Sequence, residues 1–229
     1  MNGESIELDE YLRPTKTIDS DNKAIIEKAL QLTSHCGNNR EKAMALFYFV
    51  RDRVHYNAYM LSTRFEDFVA STVLARGRGY CVQKAILLTA LARATGIPSR
   101  LLFARIKNHK APRELIAQTG LDVFPSHGYT QLLLGGRWVS VTPAFDRDLC
   151  EKIGVPVVEF DGIHDAPLAP RDLAGNPYIE YIEKYEPQTD LPFEWLHGKV
   201  ATIWGEKPAW LTLEDAKGHK MPSGYIFEG

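Results

Sequence analysis

The stretch Ala75-Arg76-Gly77-Arg78-Gly79-Tyr80-Cys81-Val82-Gln83-Lys84-Ala85-Ile86-Leu87-Leu88 is the most informative part of the chain. Its glycines permit a tight backbone immediately before an apolar helix. That helix carries Ala85, Leu87, Leu88, Leu91 and Ala92 and stops at Gly96, with Pro98 just beyond, the usual chemistry of a helix end. Cys81 therefore falls in the first turn of a mostly buried helix. Backbone N–H groups there lack intrahelical partners, and the positive end of the helix dipole favours a thiolate over a thiol. The same N–H groups can hold an oxyanion. A cysteine at a helix start is equally a small buried hydrophobe, so the position needs a proton partner before it reads as a site.

On the downstream side, Ser99–Lys107 reads as a strand. Gly128–Leu134 and Arg137–Thr142 read as two more, joined by Gly135-Gly136, a strong two-residue hairpin signal. Residues 108–126 form a long connection, with a short helix expected at Pro112–Gln118. Connections of that length are more often functional than idle. On the upstream side, residues 1–17 read as an extended lead-in. Ser20 and Asp21 are placed to cap a helix carrying Ile25, Ile26, Ala29, Leu30 and Thr33. A second helix is expected from Arg40 to Val54, its buried stripe formed by Met44, Phe47, Val50 and Val54 and widened by Ala43 and Leu46. A short helix is expected near Phe65–Leu74. The reading is an α+β fold: N-terminal helices, and the central helix that begins at Cys81 packed on an antiparallel sheet. It divides into a core over residues 1–146 and an accessory C-terminal extension over 147–229. The extension is rich in Pro, Gly and acidic residues and holds Trp195, Trp204 and Trp210, aromatics that suit a tail wrapped on the core.

His127 is the histidine best placed to serve Cys81, because it opens the first hairpin strand. With Gly135-Gly136 as the turn, paired residue numbers sum to 271, so Tyr129 faces Thr142 and His127 faces Ala144. Thr142 and Asp146 then lie diagonally from His127 on one face, at roughly 7–8 Å between backbones. Either can orient the imidazole. Pro143 cannot donate to a ladder, so pairing can fail before Asp146. By the same register Trp138 shares the face of His127 and is a candidate cleft wall, although a core role suits it as well. Tyr80 is a candidate for shaping the substrate pocket, or simply packing. Gln83 is expected on the helix surface. Arg76 and Arg78 can favour the thiolate or remain solvated.

The chain has 229 residues, with 27 Lys plus Arg against 29 Asp plus Glu, a balance that gives no electrostatic reason to expect nucleic acid or an anionic membrane as partner. Its length allows a sizeable core without disulfide staples. Three cysteines cannot all pair internally, and none lies in a CxxC. Cys36 and Cys150 have no catalytic context. The acidic start MNGESIELDE lacks the basic and apolar parts of a secretory signal, and no apolar run reaches the ~18 residues of a membrane span. A cytoplasmic setting is the expectation. Without an HExxH, paired histidines or an EF-hand-like loop, no metal and no cofactor are expected.

Gly79-Tyr80-Cys81 followed by Gln83–Leu88 and Leu91-Ala92-Arg93-Ala94-Thr95-Gly96-Ile97-Pro98-Ser99-Arg100 resembles the nucleophile segment of the transglutaminase-like superfamily. His127-Gly128-Tyr129 and Gly136-Arg137-Trp138-Val139 resemble its histidine strand and the tryptophan strand that follows. The likeness covers roughly residues 40–146. It implies a fold related to papain-like cysteine proteases, and a Cys-His-Asp triad that attacks an amide carbonyl and passes a thioester's acyl group to water or an amine. Carried over, Cys81 is the nucleophile and His127 the base. The family's aspartate usually opens an Asp-Pro step, and here that step is Thr142-Pro143. A threonine can hold the ring but brings no charge to an imidazolium. Asp146 can supply that charge and is preferred as the orienting residue, with Thr142 as the alternative. The expected activity is hydrolysis of an amide in a peptide or protein-like substrate. The alternatives are amine-accepting acyl transfer, or an inert binding module that keeps the fold.

Overall fold

The computed structural model describes residues 8–58, 60–113, 116–117 and 120–204, with side chains described as far as Lys199. Helix α1 (Lys23–Thr33) is capped by Asn22, whose side chain accepts the Ala24 N–H at 3.0 Å. This corrects the expected Ser20/Asp21 cap: Asp19 instead accepts the Ser71 N–H, tying the lead-in to the following helices. The buried stripe of α1 is Ile25, Ala29 and Thr33, while Ile26 and Leu30 face solvent. Helix α2 (Asn39–Arg53) is capped by Asn38 and buries Ala43, Leu46, Phe47 and Val50 as their spacing requires. The segment after it holds strand β1 (His55–Tyr56), a 3-10 turn at Phe65–Phe68, helix α3 (Ala70–Arg76) and strand β2 (Arg78–Gly79), which pairs parallel to β1.

Helix α4 (Cys81–Ala94) is the axis of the core. Every residue from Val82 to Arg93 is buried, because α1, α2 and α3 pack on it from one side and the sheet from the other. Arg93 is sealed in by donating to the carbonyls of Ser99, Arg13 and Thr189.

The sheet contains β3 (Ser99–Asn108), β4 (Val123–Leu134), β5 (Arg137–Val141) and β6 (Ile179–Lys184), in the order β5-β4-β3-β6 with every pair antiparallel. Gly135 and Gly136 both have positive φ, 58° and 79°, the pair of conformations a tight hairpin turn demands. Leu134 pairs with Arg137 and the ladder continues to Thr130–Val141, the register expected from the turn. It ends there. Beyond Val141 the chain turns to a different neighbour: the Thr142 N–H donates to the Ala166 carbonyl and Ala166 donates to Ser140.

Residues after 146 do more than wrap the core. They supply helix α5 (Arg147–Ile153), the edge strand β6 and helix α6 (Phe193–Trp204). Trp195 packs edge-on against Phe103 and Tyr185. Trp210 and the side chain of Trp204 lie outside the described residues, as does part of the helix expected at Pro112–Gln118. No helix among the described residues is long and apolar enough to cross a membrane.

Candidate active site

Alternation along β4 sets the site. Gly128 and Thr130 face α4: the Thr130 hydroxyl donates to the Ala85 carbonyl at 3.1 Å, and Gly128 presses on Val82. His127 and Tyr129 therefore occupy the other face, with their rings stacked at 5.9 Å and 13°. Cys81 is the first residue of α4, half-buried, with its sulfur against the strand where Gly128 lies. The structure thus brings Cys81 to the backbone next to His127.

Both groups are electrically quiet. Burial pushes the Cys81 thiol up to about 11, against the N–H groups of Gly128, Val82 and Cys81 itself and the charge of Lys84, which pull it down. The sequence expectation that the helix dipole would favour a thiolate is outweighed by desolvation. His127 is 3% exposed, and burial alone lowers its pKa to about 4. Its Nε2 has no hydrogen-bond partner among the described residues. The pair rests as thiol and neutral imidazole rather than as an ion pair.

A stability signature follows. The unfolded chain protonates His127 near the ordinary value of 6.5, while the folded chain resists until about 4. The contribution is therefore intact above about pH 6.5 and is lost as the pH falls toward 4, a range worth about 3 kcal/mol. Urea denaturation at pH 7.5 and 4.5 should show wild type losing roughly 2–3 kcal/mol more than His127→Gln. Equal losses in the two proteins would contradict the burial of a neutral ring.

Asp146 is not brought to His127. It caps α5: Oδ1 accepts the Leu149 N–H at 3.1 Å and Oδ2 accepts the Tyr56 N–H at 2.8 Å. The preference for Asp146 as orienting residue rests on its charge, with the pairing open to failure at Pro143. The ladder stops at Val141, and the carboxylate is taken up by backbone donors elsewhere. Thr142 does stay on the site face, 1% exposed, with an Oγ1 that completes no hydrogen bond among the described residues. Next to it is the phenol of Tyr181, which also meets the edge of the His127 ring at 5.9 Å.

Tyr80 is buried against Phe68, at 6.2 Å between ring centroids, and its hydroxyl lacks a partner among the described residues. Trp138 shares the face as the register requires, but it pairs with Leu133, six residues and about 20 Å along the strand from His127. There it holds Tyr11 at 5.1 Å and the Arg100 guanidinium at 4.0 Å, so it pins the lead-in rather than a cleft. Gln83 is fully buried, contrary to expectation. It accepts the Tyr80 N–H and donates to the Met60 and Asp67 carbonyls, bracing the turn before Cys81. Arg76 is spent on the Asp67 and Arg78 carbonyls, and Arg78 is exposed.

The residues missed from sequence are Lys84 and Tyr181. Lys84 is fully buried, donates to the Arg51 carbonyl at 3.0 Å, and is lowered by burial to about 7 despite Asp146 and Asp52 nearby. Tyr181 arrives on β6, and the alternation Ile179-Glu180-Tyr181, buried, exposed, half-buried, was the available signal. Tyr181, Tyr129 and Thr142 also line an open cleft of about 570 Å³ whose other walls include Pro167, Leu168 and Pro170.

The sequence profile of the transglutaminase-like superfamily matches residues 26–143. None of the curated proteins matches. Among solved structures, the chain is similar to a candidate cysteine protease from Cytophaga hutchinsonii, with 19% identity, a TM-score of 0.48, and coverage of 82% of this chain and 55% of that one. It is also similar to a candidate protease from Parabacteroides distasonis, with 17% identity, a TM-score of 0.36, and coverage of 58% of this chain and 25% of that one. The chain thus spans about half of the first structure and a quarter of the second.

Proposed function

We propose, on the premise that this chain belongs to the transglutaminase-like superfamily, that it is a thiol-dependent hydrolase of amide or peptide-like bonds with Cys81 as nucleophile and His127 as base. The observation that supports this best is the seat of the Cys81 sulfur at a helix start, against the N–H of Gly128, the residue that follows His127 on β4. A neutral pair works by general-base catalysis: the imidazole takes the thiol proton as sulfur attacks the carbonyl carbon. The oxyanion that forms is suited to the free N–H groups at the helix start. When the C–N bond breaks, the imidazolium returns its proton to the leaving amine and a thioester remains. Water, deprotonated by His127, then releases the acid. A primary amine in place of water would make the same thioester an acyl-transfer intermediate. Thr142 is the orienting residue this reading uses, because Asp146 would have to abandon two backbone donors.

Cys81→Ala should abolish amine release from an amide or peptide panel, while Cys36→Ala and Cys150→Ala stay within about twofold of wild type. Carbamidomethylation of Cys81, followed by mass spectrometry, should be slow at pH 7 and rise toward pH 11, because the buried thiol ionises late. Hydrolysis surviving in Cys81→Ala removes the assignment. The raised thiol, and the absence of a carboxylate contact at His127 among the described residues, favour a second reading, an inert binding module of the same fold. No turnover on the panel by wild type, with either water or an amine as acceptor, would support it.

A further inference from the structure

We infer that Tyr181 is a positioning residue for the Cys81–His127 pair, holding Thr142 to the far nitrogen of the imidazole where a carboxylate would otherwise stand. The inference rests on the proposed roles of Cys81 and His127. Tyr181 comes from β6, outside the residues that match the family profile. Its ring meets His127 at 5.9 Å and 73° and Tyr129 at 6.3 Å and 78°, so three rings enclose one corner of the sheet.

A phenol oxygen accepts two hydrogen bonds and donates one. Tyr181 Oη already accepts the Leu168 N–H at 3.3 Å, and the Thr142 hydroxyl lies within reach as the second donor. A threonine that donates to Tyr181 keeps its oxygen lone pairs free. Among the described residues, the buried Nε2 of His127 is without a partner, and so is Thr142 Oγ1. Neither bond is closed in this structure; with a proton on Nε2, the relay that would satisfy both atoms runs from the ring N–H to Oγ1 and from Oγ1–H to Oη. The chain of donors has one direction, so it selects one tautomer. Nε2 carries the proton and Nδ1 keeps the lone pair that can receive the thiol proton. All its members are neutral, as burial favours. A carboxylate would do the same work with charge. Here a hydroxyl anchored by a phenol does it without.

Tyr181→Phe keeps the ring contacts and removes only the anchor. The first readout is the tautomer of His127 by nitrogen-15 NMR. Wild type should be protonated at Nε2, and Tyr181→Phe should populate both tautomers. The second is turnover, with kcat expected to fall roughly tenfold at a KM within twofold of wild type. Thr142→Val should match Tyr181→Phe, Thr142→Ser should stay near wild type, and the double variant should be no worse than either single one. An unchanged tautomer in Tyr181→Phe, or losses that multiply in the double variant, would overturn the inference. The tautomer is measured without substrate, so a wild-type protein that fails to turn over refutes the hydrolase reading while the NMR still decides the role of Tyr181.

Discussion

Gly128→Val lowers the unfolding free energy by more than about 3 kcal/mol and frees the Cys81 thiol from its buried seat. A Cβ at position 128 would lie 2.8 Å from the Val82 Cα and 2.9 Å from its Cγ2. The first is backbone, so no side-chain rotation relieves the clash. Strand β4 is tied at this point to β3, whose Phe103 pairs with Gly128, and two residues further on to β5, which limits its retreat. The first turn of α4 must move instead, and Cys81 is in that turn. The smaller Gly128→Ala should cost about 1–3 kcal/mol. In both variants the sulfur loses its N–H donor and much of its burial. Burial dominates, so the pKa should fall from about 11 toward the ordinary value of 9.0. Chemical denaturation and the pH profile of alkylation measure the two effects. A Gly128→Ala protein with wild-type stability and a wild-type thiol would show that helix and strand have room to spare.

Asp146→Ala should cost about 3 kcal/mol. Loss of a helix N-cap accounts for about 1–2 kcal/mol, and loss of the charged acceptor of the Tyr56 N–H accounts for about as much again. The substitution also takes away the anion that most favours a charged Lys84, which is already lowered by burial. Asp146→Asn keeps a good capping side chain and should lose less than half as much. The distinguishing measurement is turnover at a temperature where each variant is folded. A capping role leaves kcat within about fivefold of wild type in Asp146→Asn. A fall of a hundredfold or more in a folded Asp146→Asn would return the residue to the catalytic set.

What could be read from sequence follows physical range. The helix beginning at Cys81, the strand before the connection and the hairpin register depend on local chemistry: glycine conformations, apolar spacing and a two-residue turn. Those signals lie within a few residues of their effects. The place of Asp146 depends on where the ladder ends, and that is decided by Ala166, which captures the Thr142 N–H. Nothing near Pro143 announces this competitor. Gln83 is polar, and its burial makes sense only once the Met60 and Asp67 carbonyls are seen around it. The thiol was misjudged in the same way: the dipole is a local property of a helix start, whereas desolvation is a property of everything packed on it.

Strand β6 also sets the order in which this molecule can be made. Its Ile179 pairs with Asn108, a separation of 71 residues, 179 minus 108. Closing so long a loop is entropically expensive before the pairing rewards it, and contacts of this kind slow folding. The helices and the hairpin join neighbours in sequence and can form early. The phenol beside His127 comes only with β6, the last of these strands in sequence. A chain emerging from the ribosome therefore carries its cysteine helix and its histidine strand well before it carries the group that we infer holds the ring.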